Sequence, residues 1–588
     1  MSLKDRFSEE LRYLRQLGAD FARDNPRLAR FLGEQSCDPD IERLLEGFAF
    51  LTAKLRLKLE DDLPELTHSI LQLLWPNYLR PLPSATIIQF TALEQSLSES
   101  HSVPKGSRLF SHPVDGISCE YQTCTEVKLH PFKITAASAN QTLERSNIRL
   151  DLMPLVDRPL NTLGCDSVEF HLSGDDHSAQ TLYLWLSQYL EQISVTINGK
   201  AQRLPASAIV FPGFSPQEAL LPYPPNVFDG YRIIQEYFAF AQRFHFFSLT
   251  GLAQCWPDEA SHLVRIEFTF SRSLPESIRV NQNHFRLFCT PAVNLFKHSA
   301  EPIDLSGRTG LVPLKPCGRQ PDAYEIFSID QVTSARTSAD RSDTEQLRVF
   351  QPFESFAHEI EHVQGRTALY YRCRVEASMR DDGVNHRIGF VRADESEYIG
   401  QLEVASVDLT CTNRDLPMGL GIGDISLLTE ATPPLATYRN ICQPTRPYRP
   451  VLDGQLQWTL ISNLSLNYLS LLSAEPLKAV IRAYDFAALH DLQHARATRK
   501  RLDGIGEAHT EPLDWTIKGL PIRGLRTRLK LDQDAFLCEG DLYLFGCVLS
   551  HFFALYASTN SFHQLEVINT TNNERYTWPL LTGRQPLI

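Results

Sequence analysis

Between Asp38 and Ser84 the chain reads DPDIERLLEGFAFLTAKLRLKLEDDLPELTHSILQLLWPNYLRPLPS, and no other stretch restricts its fold as strongly. Asp38 before Pro39 is a helix start: the carboxylate accepts at the N-cap, and the ring follows where no N–H partner is needed. Ile41, Leu44, Leu45, Phe48, Leu51, Leu55 and Leu59 then recur at helical spacing and draw one apolar stripe. Asp61, Asp62 and Pro64 close that helix and open a second, which carries Ile70, Leu71, Leu73 and Leu74 and stops at Trp75-Pro76. A helix of about 22 residues is about 33 Å long at 1.5 Å per residue, longer than a compact domain usually needs. Arg43, Glu46, Lys54, Lys58 and Asp61 occupy its other face. Such a rod has to cover its stripe, with its own chain or with a partner.

At 588 residues the chain is too long for one core and implies about three or four domains. A formal net charge of −13 argues against nucleic-acid binding, which favours basic domains. The twelve cysteines are scattered and no CxxC occurs, so reduced buried thiols are expected, with no zinc ribbon and no disulfide framework. The first thirty residues are charged and lack an apolar signal core, and no window reaches 18 uninterrupted apolar residues. A cytoplasmic protein without a transmembrane segment is the expectation.

The periodicity divides the rest. Helical patterns fill 1–84 as an N-terminal helical module. From Ala85 strand signals dominate, giving a β-rich domain over 85–205: Leu182, Leu184 and Leu186 alternate with Tyr183 and Trp185, and Ile193, Val195 and Ile197 lead into an Asn198-Gly199 hairpin turn. Residues 206–260 form an aromatic and proline-rich crossover. Within it, Tyr237, Phe238, Phe240, Phe244, Phe246 and Phe247 are read as packing between domains, with an anchor for another subunit as the alternative. A second β-rich domain spans 261–408, where Val264, Ile266, Phe268 and Phe270 alternate with polar neighbours and Ser334–Thr344 reads as an exposed loop. A mixed helix and strand domain follows over 409–588. The fold class expected is α+β, multidomain.

Chemical motifs are sparse. His358-Glu359-Ile360-Glu361-His362 satisfies HExxH, in which two histidines one turn apart ligate zinc and the glutamate polarises water. A third ligand at the longer motif's position would be residue 368, which is Ala368, so a solvated helical turn is the reading and a zinc metallopeptidase the alternative. Gly419-Leu-Gly421-Ile-Gly423 lacks the βαβ setting and spacing of a nucleotide loop, and reads as a turn. Arg496, Arg499, Lys500 and Arg501 form a basic run in an expected linker before Gly504, either a solvated patch or a contact for an acidic subunit. No catalytic, cofactor-binding or metal residue is expected, and no cofactor. A glycan-binding module on the aromatic β domains is a third possibility from another class.

What stands out is interface material, and here a resemblance enters. DPDIERLLEGFAFL, LEDDLPELT and WPNYLRPLPS resemble the N-terminal signature of TssF, the wedge subunit of the type VI secretion baseplate. Further stretches are similar to the same family: ALLPYPP with FDGYRIIQEYFAFAQRFHFF, FCTPAVNLFKHSAEPI, CTNRDLPMGL, WTLISNLSLNYLSLL, LYLFGCVLSHFFALYASTNSFHQL and WPLLTGRQP. The HEIEH run belongs to none of them. The resemblance implies a structural subunit of a contractile injection machine. Two TssF copies would embrace one TssG, and such wedges would surround the VgrG spike hub. TssK, TssE and the TssF of a neighbouring wedge would be further contacts, with the sheath built above. It also implies a baseplate docked at the inner face of the cytoplasmic membrane through other subunits. Ile41, Leu44, Phe48, Leu55, Tyr237 and Phe238 are the partner-interface candidates from the residues themselves.

Overall fold

Alternating apolar residues build most of this molecule, because a strand with one buried face needs a second layer to cover it. The computed structural model describes residues 7–8, 11–15, 39–60, 64–92, 99–224, 231–306, 310–336, 347–353, 369–378, 383–392, 396–400, 403–430, 432, 436–452, 454–464, 473–517 and 520–583. The chain divides into two units, one of Met1–Leu71 with Leu452–Ser462 and one of Gln72–Val451 with Asn463–Ile588.

The first unit is helical. Helix α1 spans Pro39–Glu60, and helix α2, Pro64–Leu74, contributes its N-terminal two turns. They are joined by most of a later helix, Gly454–Leu464. The buried Thr67 hydroxyl donates to Gln457 Oε1 at 2.8 Å, and Gln457 Nε2 meets His68 Nε2 at 2.9 Å. These polar pairs satisfy groups that would otherwise be buried unpaired beside Leu71 and Leu460.

The second unit is mostly antiparallel sheet. Ala85–Ala92 lies between Cys289–Val293 and Ala436–Asn440, with Gln89 opposite Cys289 and Ile88 opposite Asn440. One sheet therefore takes strands from three of the sequential segments expected above. A second sheet orders Lys200–Leu204, Leu190–Ile197, Val264–Phe270, Ser146–Pro154 and Phe132–Gln141. Its hairpin closes at Asn198 and Gly199, both at positive φ, as a two-residue loop of the primed type requires. A smaller sheet holding Val168–Leu172 and Phe246–Leu249 packs on it through Phe247, which stacks on Phe170 at 5.0 Å and meets Phe268 edge-on at 6.2 Å. The eight-stranded sheet runs through Glu403–Thr412 and Glu325–Arg336 around a core of Val332, Phe350, Ile388, Val407 and Leu409. Near the C-terminus, Leu520–Leu531 and Phe562–Asn569 are parallel neighbours. Parallel neighbours need a crossover connection, supplied here by the 18-residue helix Glu539–Tyr556.

Several expectations change. Residues 182–186 are not a strand: helix α3, Asp176–Leu184, continues into a π-helical turn, Trp185–Tyr189. Leu182, Tyr183, Leu184, Trp185 and Leu186 are all buried, and a run covered on every side carries no period that separates strand from helix. Helix α3 also lies against the helix Glu539–Tyr556, so closely that a Cβ on Gly540 would stand 2.2 Å from the Gln180 carbonyl oxygen. Ser334 is not in an exposed loop but buried in the strand Glu325–Arg336, where its hydroxyl donates to Glu403. The basic run is not a linker either; it lies in the helix Leu492–Asp503.

Candidate subunit-docking face

Helix α1 turns one edge of its apolar stripe inward and the other to solvent. Ala49 is buried and Leu45 half-buried, one turn apart on one side. Leu44, Phe48 and Leu51, at i, i+4 and i+7, are 72%, 62% and 58% exposed. Phe50 is also exposed. Fully burying a Leu or Phe side chain yields about 1.5–3 kcal/mol, so three aligned residues left in water form a large unsatisfied surface. Ile41 and Leu55 lie on the same helix, but their side chains fall outside the described residues. Leu51 was absent from the candidate set; the signal that could have found it is its spacing of three from Phe48.

Tyr237 and Phe238, the other two candidates, are buried side chains. They lie on helix α4, Arg232–Phe240, and are only 1% and 7% exposed within their own unit. The Tyr237 hydroxyl donates to Asp541 Oδ1 at 2.9 Å, and its ring packs on Phe545 at 5.8 Å. Helix α4 is fixed by charge as well. Glu236, fully buried, pairs with Arg232 at 3.0 Å and with Arg243, and also accepts the Leu220 N–H at 2.8 Å. Arg243 donates to the carbonyls of Gly213 and Glu218, and burial, then the charge of Arg232, pushes its guanidinium down to about 9. Trp75, from the WPNYL ending, packs beside Tyr223, Tyr231 and Tyr484, with the latter two rings stacked at 4.0 Å. At those two positions the aromatic stretch packs inside its own unit.

The chemical motifs supply no site. The HEIEH run at 358–362 lies outside the described residues. Among the described residues no group of three or more His, Cys, Asp or Glu could hold a metal ion. The glycines near 421 have their amides committed, Gly421 N–H to Asp424 Oδ2 at 2.7 Å and Gly423 N–H to Asn440 Oδ1 at 2.9 Å, so no phosphate cradle is open there. The described cysteines carry free thiols and most are buried; burial pushes Cys124 up to about 12, far from a reactive thiolate. Among the described residues no helix is long and apolar enough to cross a membrane. Among the described residues, the exposed apolar line on helix α1 is the candidate face.

Known proteins share this architecture. The family described as "Type VI secretion system, TssF" matches residues 1–585. The type VI secretion system component TssF1 of Pseudomonas aeruginosa is 31% identical over 633 aligned residues, covering 99% of each chain. A chain in the cryo-electron microscopy structure of the TssK-TssF-TssG baseplate subcomplex superposes with a TM-score of 0.76 at 27% identity, over 92% of this chain and 99% of that one. A chain of the type VI secretion baseplate complex superposes with a TM-score of 0.67 at 25% identity over the full length of both.

Proposed function

We propose, from the premise that this chain belongs to the TssF family and is a component of the type VI secretion baseplate wedge, that helix α1 is the face by which it joins its wedge. In this reading the apolar edge of α1 bundles with a helix of TssG, two copies of this chain embracing one TssG in the cytoplasm. The wedge so formed meets TssK, TssE and the TssF of the next wedge around the VgrG hub, as platform for the sheath. The observation that carries the proposal is the exposure of Leu44, Phe48 and Leu51 on one line of a 22-residue helix. Association removes that surface from water at about 25 cal/mol per Å², which supplies the driving term. The protein acts by packing, and breaks no bond.

The test is co-purification with the TssG of the same system. Wild-type chain is expected to yield a complex whose native mass fits two copies to one TssG. A Leu44→Asp/Phe48→Asp variant, still folded by circular dichroism, is expected to lose TssG. Retention of TssG by the folded variant overturns the α1 assignment, and a 1:1 mass overturns the stoichiometry.

A further inference from the structure

The helix Leu492–Asp503 buries one side and leaves the other bare. Thr498 and Leu502 are buried, and Arg501 reaches Asp541 Oδ2 at 2.8 Å, which defines the inward side. On the outward side Leu492, Arg496, Arg499 and Lys500 follow at i, i+4, i+7 and i+8, all exposed, with Leu492 at 78%. Asp503 ends the line, and Asp491 is occupied as the helix cap, accepting the N–H groups of Gln493 and His494. The side chains of Arg496, Arg499 and Lys500 make no ion pair or hydrogen bond among the described residues.

The contrast with the hairpin Ile505–Leu531, which begins where this helix ends, is informative. There Arg523 pairs with Asp514, Arg526 and Arg528 with Glu511, and Lys530 with Glu507. The chain carries 70 acidic residues against 57 basic ones. Three adjacent cations with only Asp503 beside them, in a molecule with carboxylates in excess, leave a positive face open to an acidic group from outside.

We propose that this face of the helix docks an acidic protein surface, with carboxylates on Arg496, Arg499 and Lys500 and an apolar side chain over Leu492. Scale selects a protein. From Leu492 to Lys500 the line rises about 12 Å, about one and a half Debye lengths at physiological ionic strength. A compact carboxylate cluster fits within it. A long polyanion or an anionic bilayer extends beyond it over a net acidic molecule and is repelled. The assignment is independent of helix α1 and of TssG.

The experiment uses the full chain and, as probe, a fluorescein-labelled helical peptide of three Leu-Glu-Ala-Ala-Glu-Ala-Ala repeats, read by anisotropy at low salt. The wild-type chain is expected to bind it. An Arg496→Ser/Arg499→Ser/Lys500→Ser variant is expected to bind about tenfold more weakly, and Leu492→Ser about threefold more weakly. Lys200→Ser/Arg203→Ser, on the exposed edge strand Lys200–Leu204, is expected to bind as wild type. Since none of the three cations is tied to another residue, an unchanged thermal midpoint confirms that the triple variant folds. No peptide binding by the wild type, wild-type binding by the triple variant, equal loss in the edge-strand variant, or tighter binding of a short DNA duplex or of phosphatidylglycerol vesicles would each overturn the proposal.

Discussion

Helix α1 and helix α4 look alike as sequence and end in opposite places. Both carry bulky apolar residues at helical spacing, Leu44, Phe48 and Leu51 in one, Ile233, Ile234, Tyr237 and Phe238 in the other. The structure leaves the first set in solvent and buries the second. The difference lies in what surrounds each helix. Helix α4 sits among Trp75, Tyr484 and the helix Glu539–Tyr556, and its charges are consumed by Arg232, Glu236 and Arg243. Helix α1 has cover from its own chain on the side of Ala49 alone, among the described residues. A stripe announces that a helix has a face to cover; it does not say who covers it.

The largest effect expected lies inside α4. Glu236→Gln leaves Arg232 and Arg243 buried without their counter-charge, and removing one partner of a buried pair costs about 3–5 kcal/mol. A chemical-denaturation midpoint near that of the wild type would break the comparison. Acid should act on the same unit. Burial pushes His171 down to about 3, His245 to about 4 and His563 to about 3. Their native pKa values lie below the unfolded value of about 6.5, so the unfolded chain takes up protons first as pH falls. Stability from these groups is full above about 6.5 and declines between about 6.5 and about 3. Thermal midpoints measured across that window check it, and a flat profile would show that these histidines are not held neutral.

Smaller changes sharpen the contrast. Tyr237→Phe removes one hydrogen bond to Asp541, which keeps its contacts to Arg501 and the Leu537 N–H, so a loss of about 1 kcal/mol is expected. Phe48→Asp in the isolated chain should shift stability by no more than about 0.5 kcal/mol, as for other exposed positions. That substitution is the mirror of Glu236→Gln: near silence in the lone chain with loss of the partner, against loss of the fold. A large destabilisation by Phe48→Asp would mean that α1 packs on its own chain.

Much of the fold was legible because local periods carry it. The strands Val264–Phe270 and Leu190–Ile197, the Asn198-Gly199 turn and the helix bearing Leu477, Val480, Ile481 and Tyr484 all follow from alternation, turn chemistry or helical spacing. Legibility failed where burial is uniform or long-range. Residues 182–186 are covered on all sides, so their alternation of Leu with Tyr and Trp held no information about the backbone. The helix that holds the basic run buries only Thr498 and Leu502, too thin a signal to mark a helix by eye. Leu44 and Phe48 were legible as one helix face from their spacing, but the burial of Tyr237 and Phe238 was not.

By itself the amino-acid order determined which residues form a face, where turns fall and to which family the chain is similar, since those depend on neighbours a few positions apart. Only the tertiary structure decided which faces meet, that Ala85–Ala92 pairs with Cys289–Val293 and Ala436–Asn440, and that Phe48 stays in water while Tyr237 does not. Burial is a property of pairs of surfaces distant in the chain, and no local pattern records both members of a pair.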